Sequence, residues 1–192
     1  PVIRRRPLLT RILLVCLLLM ASSVDGVLPI RITHAQPSPL EYQVKAAFLY
    51  QFFKFVEWPP EAFHATNQTI CIGVVDVGAM ASALQSVEGK EAKGRRVVVK
   101  RFKEPEELEF CHILFISSEM EGRMTEILDR LKGTSTLTVS DIDGFARRGG
   151  MINFITVENK IQFEINVEAA ERAKLQISSH LLRLARIVSG RR

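Results

Sequence analysis

Asp141 and Asp143 stand one residue apart, and Arg147-Arg148 follow, with Gly144-Phe145 between the pairs and Gly149-Gly150 behind them. Two carboxylates at that spacing are a fragment of a calcium loop. The other oxygen ligands are missing, including the expected downstream glutamate, so a solvated loop capped by Ser140 is the plainer reading. Two adjacent guanidiniums can clamp an anionic ligand or a partner's carboxylate. They can equally be a solvated basic pair that offsets the two aspartates. Phe145, between these charges, reads as an anchor that ties the loop to the core. Asp141, Asp143, Phe145, Arg147 and Arg148 are therefore the candidate ligand or partner loop.

The sequence holds three cysteines, Cys16, Cys71 and Cys111. Cys16 lies inside the apolar run Ile12 to Met20 and follows Val15 rather than a small residue. It reads as part of a leader, not as a lipid-attachment site. Cys71 and Cys111 remain, and an exported chain with an even count either joins them or buries two free thiols. His34, His64, His112 and His180 have no partners at metal-ligand spacing. His112 at a strand start and His180 on a polar helix face read as structural. Gly73 and Gly78 have the glycine spacing of a phosphate loop, but Ala79-Met80 follow where a lysine and a hydroxyl are needed. There is no GxSxG elbow, HExxH motif or local cysteine–histidine signature. The residues thus point to no enzyme, metal or cofactor, and Asn67-Gln68-Thr69 spells a glycosylation sequon without further support.

The elements that must position these residues follow from pattern. Ser38-Pro39-Leu40-Glu41 opens a helix with a cap, a proline at the first turn and a capping box. Val44, Phe48, Phe52 and Phe55 or Val56, with Leu49 and Phe53, form its apolar stripe, and Pro59-Pro60 stops it after Trp58. The stripe reads as core or as partner surface. Thr69 to Val77 and Cys111 to Ile116 are near-continuous apolar runs, as in strands buried on both faces. Between them lie a short helix carrying Met80, Leu84 and Val87, a charged turn at 89–94, and a strand at Arg96 to Phe102 whose basic end suits an edge. Ser118 caps a helix with Met124, Ile127, Leu128 and Leu131 on one face, ended by Gly133. Thr136 to Val139 is the fourth strand. Met151 to Val157 and Ile161 to Ile165 form a hairpin closed at Glu158-Asn159-Lys160. Asn166 caps a helical segment through Ala173, and a last helix spans about Ile177 to Val188. The expected fold class is α/β: a mainly parallel central sheet flanked by helices on both faces, with a C-terminal antiparallel hairpin and final helix. Ligands in such sheets sit outside the C-terminal strand ends, where the Asp141 to Gly150 loop emerges.

The 192 residues carry a formal charge of +5 and are 47% hydrophobic, enough for a real core. Residues 1–35 hold Arg4, Arg5, Arg6, Arg11 and Arg31 against Asp25 alone, so the remainder, with 21 basic and 20 acidic residues, is close to neutral. Nothing in bulk charge draws it to nucleic acid or anionic lipid. Arginines followed by a short apolar run read as an export signal over 1–35, cleaved before Gln36, with a single domain over 36–192.

Five stretches carry a resemblance: AFLYQFFKFVEWP, CHILFIS, SDIDGFARRGGMINFI, FEIN and ISSHLLRLARIV. In this order they are similar to the YfiR family of small periplasmic proteins, over roughly Glu41 to Val188. The resemblance implies a periplasmic repressor that binds the outer-facing sensory domain of an inner-membrane diguanylate cyclase, lowering cyclic di-GMP and biofilm formation. An outer-membrane lipoprotein and a second copy of the chain are further candidate partners. Exposed apolar residues of the first and last helices are the candidate surface. A small-molecule sensor module feeding a sensor kinase or transporter is the alternative. The resemblance also implies a Cys71–Cys111 disulfide, and the topology agrees, since both cysteines fall toward one sheet edge. Some relatives carry a second pair near the double glycine. Here Phe145 and Ile152 occupy that region, so a switch that needs the second pair lacks its cysteines.

Overall fold

The computed structural model describes residues 38–63, 68–75 and 78–190. The export-signal reading over 1–35, His34, His64 and the sequon asparagine lie outside them. Helix α1, Pro39–Phe55, starts as its chemistry requires: the Ser38 hydroxyl accepts from the Glu41 N–H at 3.2 Å, and proline takes the first turn. Its buried face presents Ala46, Leu49, Phe52 and Phe53. The helix ends at Phe55, three residues before the expected stop at Trp58. Val56–Glu57 leave it as strand β1 and pair antiparallel with β9, Gln176–Ile177. β-branched Val56 gains a fully buried site there, which outweighs one more helical turn.

An eight-stranded sheet follows, in the order β10-β8-β7-β6-β5-β2-β4-β3. Its parallel centre is β4 (Arg95–Phe102), β2 (Thr69–Val75), β5 (Ile113–Ile116), β6 (Leu137–Ser140) and the start of β7 (Ile152–Val157). β8 (Lys160–Ile165) returns antiparallel to β7. Glu158 and Asn159 both have positive φ, the geometry of a tight two-residue hairpin turn. β5 and β2 from Ile70 onward are buried throughout, as their unbroken apolar runs require. β4 is not the edge. The charged turn contains β3, Glu91–Ala92, which pairs with it and closes that side.

α1 and the short α2 (Ala79–Leu84) cover one face with the main core, which includes Phe52, Ile72, Met80, Phe115 and Val139. On the other face α3, Met124–Arg130, packs with Cys71, Val75, Cys111, Leu114, Ile116 and Phe145. Ser117, not Ser118, supplies the cap before α3, accepting from the Glu119 N–H and opening a 3-10 turn over Ser118–Arg123. Asn166 caps α4, Val167–Arg172, by accepting from the Ala169 N–H. The expected last helix is broken into β9, α5 (Ser179–Leu184) and β10 (Arg186–Ile187). Pairing to β1 and β8 claims its two ends. No helix among the described residues is long and apolar enough to cross a membrane.

Candidate functional site

The loop leaving β6 is fixed by buried polar groups. Ser140, fully buried, donates to the Ile116 carbonyl at 2.6 Å and accepts from the Ile142 N–H at 3.0 Å. The Asp141 carboxylate accepts from the Ser118 N–H at 2.9 Å and meets the Lys45 ammonium at 2.8 Å. Lys45 is only 3% exposed, lies on α1, and also contacts Glu41 at 2.8 Å. Asp141 is therefore a tie between α1 and the C-terminal edge of the sheet. Asp143 points to solvent.

Gly144 and Gly149, both with positive φ, bracket the 3-10 turn Phe145–Arg148. Phe145 is fully buried, and it sits so close to Gly150 that a Cβ there would lie 2.0 Å from the ring. That contact is why a glycine follows Gly149. Two buried amides hold the turn from below. Asn153 donates to the Ile142 carbonyl at 2.9 Å, and Asn166 to the Ala146 carbonyl at 2.8 Å. Arg147 donates to Glu164 on β8 at 2.9 Å, and this hydrogen bond raises the arginine pKa further. The Glu164 carboxylate is almost buried and has Arg186 of β10 at 3.7 Å. Arg148 pairs with Glu121 at 2.6 Å. The basic pair thus makes its ion pairs with two glutamates, while Asp143 acts on Arg147 through the smaller effect of its charge. Three of the loop's four charges, those of Asp141, Arg147 and Arg148, are paired within the molecule.

Cys71 in β2 and Cys111 just before β5 form a disulfide, with Cα atoms 4.8 Å apart. Gly73, two residues along β2 on the same face, leaves the room: a Cβ there would lie 2.8 Å from Leu114 Cδ1 and 3.0 Å from Cys111 Sγ. Its role is close packing. Beside the disulfide, His112 Nδ1 accepts from the Cys71 N–H at 3.1 Å, and its Nε2 has no partner. The ring stands among Phe63, Phe110 and Trp58. Burial, with a smaller contribution from nearby Arg95, pushes its pKa down to about 4. His180 stacks on Phe55 at 5.3 Å.

Lys45, Asn153 and Glu164 position the loop; two of them lie in the family stretches SDIDGFARRGGMINFI and FEIN, but none was singled out as a site residue. Asn153 had a signal, as the lone polar residue in the apolar run MINFI. No group of three or more His, Cys, Asp or Glu among the described residues could hold a metal ion. Apolar side chains exposed on α1 are Leu40 and Val44. Near the chain end they are Leu184 and Ile187. A family model described as YfiR/HmsC-like matches residues 42–186, well over half of the chain. A comparison with curated proteins finds no match.

Proposed function

This chain belongs to the YfiR/HmsC-like family, and on that footing we propose that it is a periplasmic, non-enzymatic regulator of an inner-membrane diguanylate cyclase. Residues 1–35 serve as its export signal, and residues 36–192 are the working domain. The domain binds the cyclase's outer-facing sensory region and holds the enzyme in its inactive form, which lowers cyclic di-GMP and restrains biofilm formation. The observation that carries this reading is the family match from the first turns of α1 to the last strand. Two features of the fold support it. Asp141, Arg147 and Arg148 of the 141–150 loop are paired within the molecule, and large apolar side chains are left exposed on α1 and around α5. Isolated apolar exposure is ordinary on any surface, and these side chains are the apolar area that a docking partner could bury.

Regulation of this kind needs a difference in affinity between two states of the partner, since equal binding to both shifts nothing. The experiment is capture from solubilised membranes with tagged protein, alongside cyclic di-GMP measurement in a strain lacking the gene. The reading expects a diguanylate cyclase in the captured fraction and raised cyclic di-GMP in the deletion strain. No cyclase together with unchanged cyclic di-GMP would overturn it.

A further inference from the structure

Central strands covered on both faces are normally apolar on both faces, as β2 and β5 are. β6 is equally central, yet the run from Thr136, just before it, alternates: Thr136, Leu137, Thr138, Val139, Ser140. Leu137 and Val139 enter the main core. Thr136 and Thr138, only 1% and 2% exposed, face the other way. There they form the floor of a cleft of about 500 Å³ between α3, the 131–134 turn and α4. That volume lies in the range of small-molecule sites.

The cleft has an apolar wall and a basic rim. Leu128, Leu131, Met151 and Ala169 give the wall, while Asp129, Lys132, Arg148 and Arg172 bring one negative and three positive charges. Two of the three cations are already committed, Lys132 to Asp129 at 2.7 Å and Arg148 to Glu121 at 2.6 Å. Arg172 is exposed and makes no ion pair among the described residues. On the floor, the Thr138 oxygen accepts from the Met151 N–H at 3.1 Å, which leaves its own hydroxyl proton to donate. A free guanidinium at the mouth and a hydroxyl donor on the floor both ask for an acceptor that carries negative charge, with an apolar body between them.

We infer that this cleft is a binding site for a small monocarboxylate with an apolar body, aliphatic or aromatic. The site is independent of the partner-binding role proposed above, and its test needs no partner. The probe is octanoate, with octylamine and octanol as cationic and uncharged controls, titrated calorimetrically into the purified protein. Methyl NMR of Leu128, Leu131, Thr138 and Met151 locates the binding. Octanoate is expected to bind saturably and shift those methyls, octylamine not to bind, and octanol to bind at least tenfold more weakly. Arg172→Gln, which breaks no ion pair and so leaves the fold intact, is expected to weaken octanoate about tenfold. Thr138→Val should weaken it too, but it also removes an acceptor from Met151, so the decision rests on Arg172→Gln. Absence of octanoate binding at millimolar concentration, shifts confined to other parts of the molecule, equal affinity for octylamine, or an Arg172→Gln protein that binds octanoate as well as the parent would each overturn the assignment.

Discussion

His112 shows how one side chain can tie local geometry to pH. Its Nδ1 accepts from a backbone N–H, so a proton added there would set two N–H groups against each other, and burial outweighs the backbone of Ala62, which favours the charged ring. The folded state therefore keeps the ring neutral down to about pH 4, whereas the unfolded chain protonates it near 6.5. The sign follows: between those values the unfolded state binds more protons, so stability falls as the pH drops through the window and levels off below it. The loss is no more than about 3 kcal/mol. Asparagine can place an oxygen where Nδ1 stands, so His112→Asn keeps the acceptor for Cys71 and removes the titration. Denaturant unfolding from pH 7 to 4 should show the parent losing stability more steeply than His112→Asn, even if the variant starts lower; parallel curves would contradict the account. The sequence marked His112 as structural but could not show its acceptor role. Lys45 was less legible still, because its partner Asp141 lies 96 residues away. A lysine beside an aromatic stripe looks solvated until the fold brings a carboxylate to it.

At the scale of elements, long patterned runs were legible and two-residue strands were not. Thr69–Val75, Ile113–Ile116 and the 152–165 hairpin follow from composition and period. β1, β9 and β10 owe their identity to what they pair with, so 177–188 reads as one helix until its ends are claimed by neighbours. The disulfide acts at this scale too, pinning adjacent parallel strands β2 and β5 across a sequence separation of 40. Closing a loop of that length restricts the unfolded chain by roughly 4 kcal/mol on the chain-entropy estimate. Cys111→Ala leaves a small cavity in a packed face as well, so its loss should be at least comparable. Denaturant unfolding of Cys111→Ala against the oxidised parent, and of the parent with and without reductant, measures both. A reduced parent as stable as the oxidised one would show that the bond contributes little.

The two ends of the eight-stranded sheet differ, and the difference bears on how the whole molecule meets others. One end is β3, two residues flanked by Lys90 and Lys93, a short charged edge of the kind that resists further pairing. The other is β10, where Ile187 is 52% exposed and Leu184, just before it, 63%. An edge strand with exposed apolar neighbours offers both unpaired backbone groups and surface to bury, which suits a protein partner. The family motif ISSHLLRLARIV ends here, so the segment was visible in sequence, although its division into strand, short helix and edge strand was not. Leu184→Asp with Ile187→Asp places two charges on this edge without opening the core. The double variant should unfold within a few degrees of the parent yet bind the outer-facing domain of the cyclase proposed as its partner at least tenfold more weakly. Changing Lys90 and Lys93 to serine at the opposite edge should leave binding untouched. Interferometry with the purified domain, paired with thermal unfolding, checks both arms. Equal affinity of the double variant and the parent would remove β10 as the docking edge, and a loss confined to the Lys90 and Lys93 variant would move the interface to the far side of the sheet.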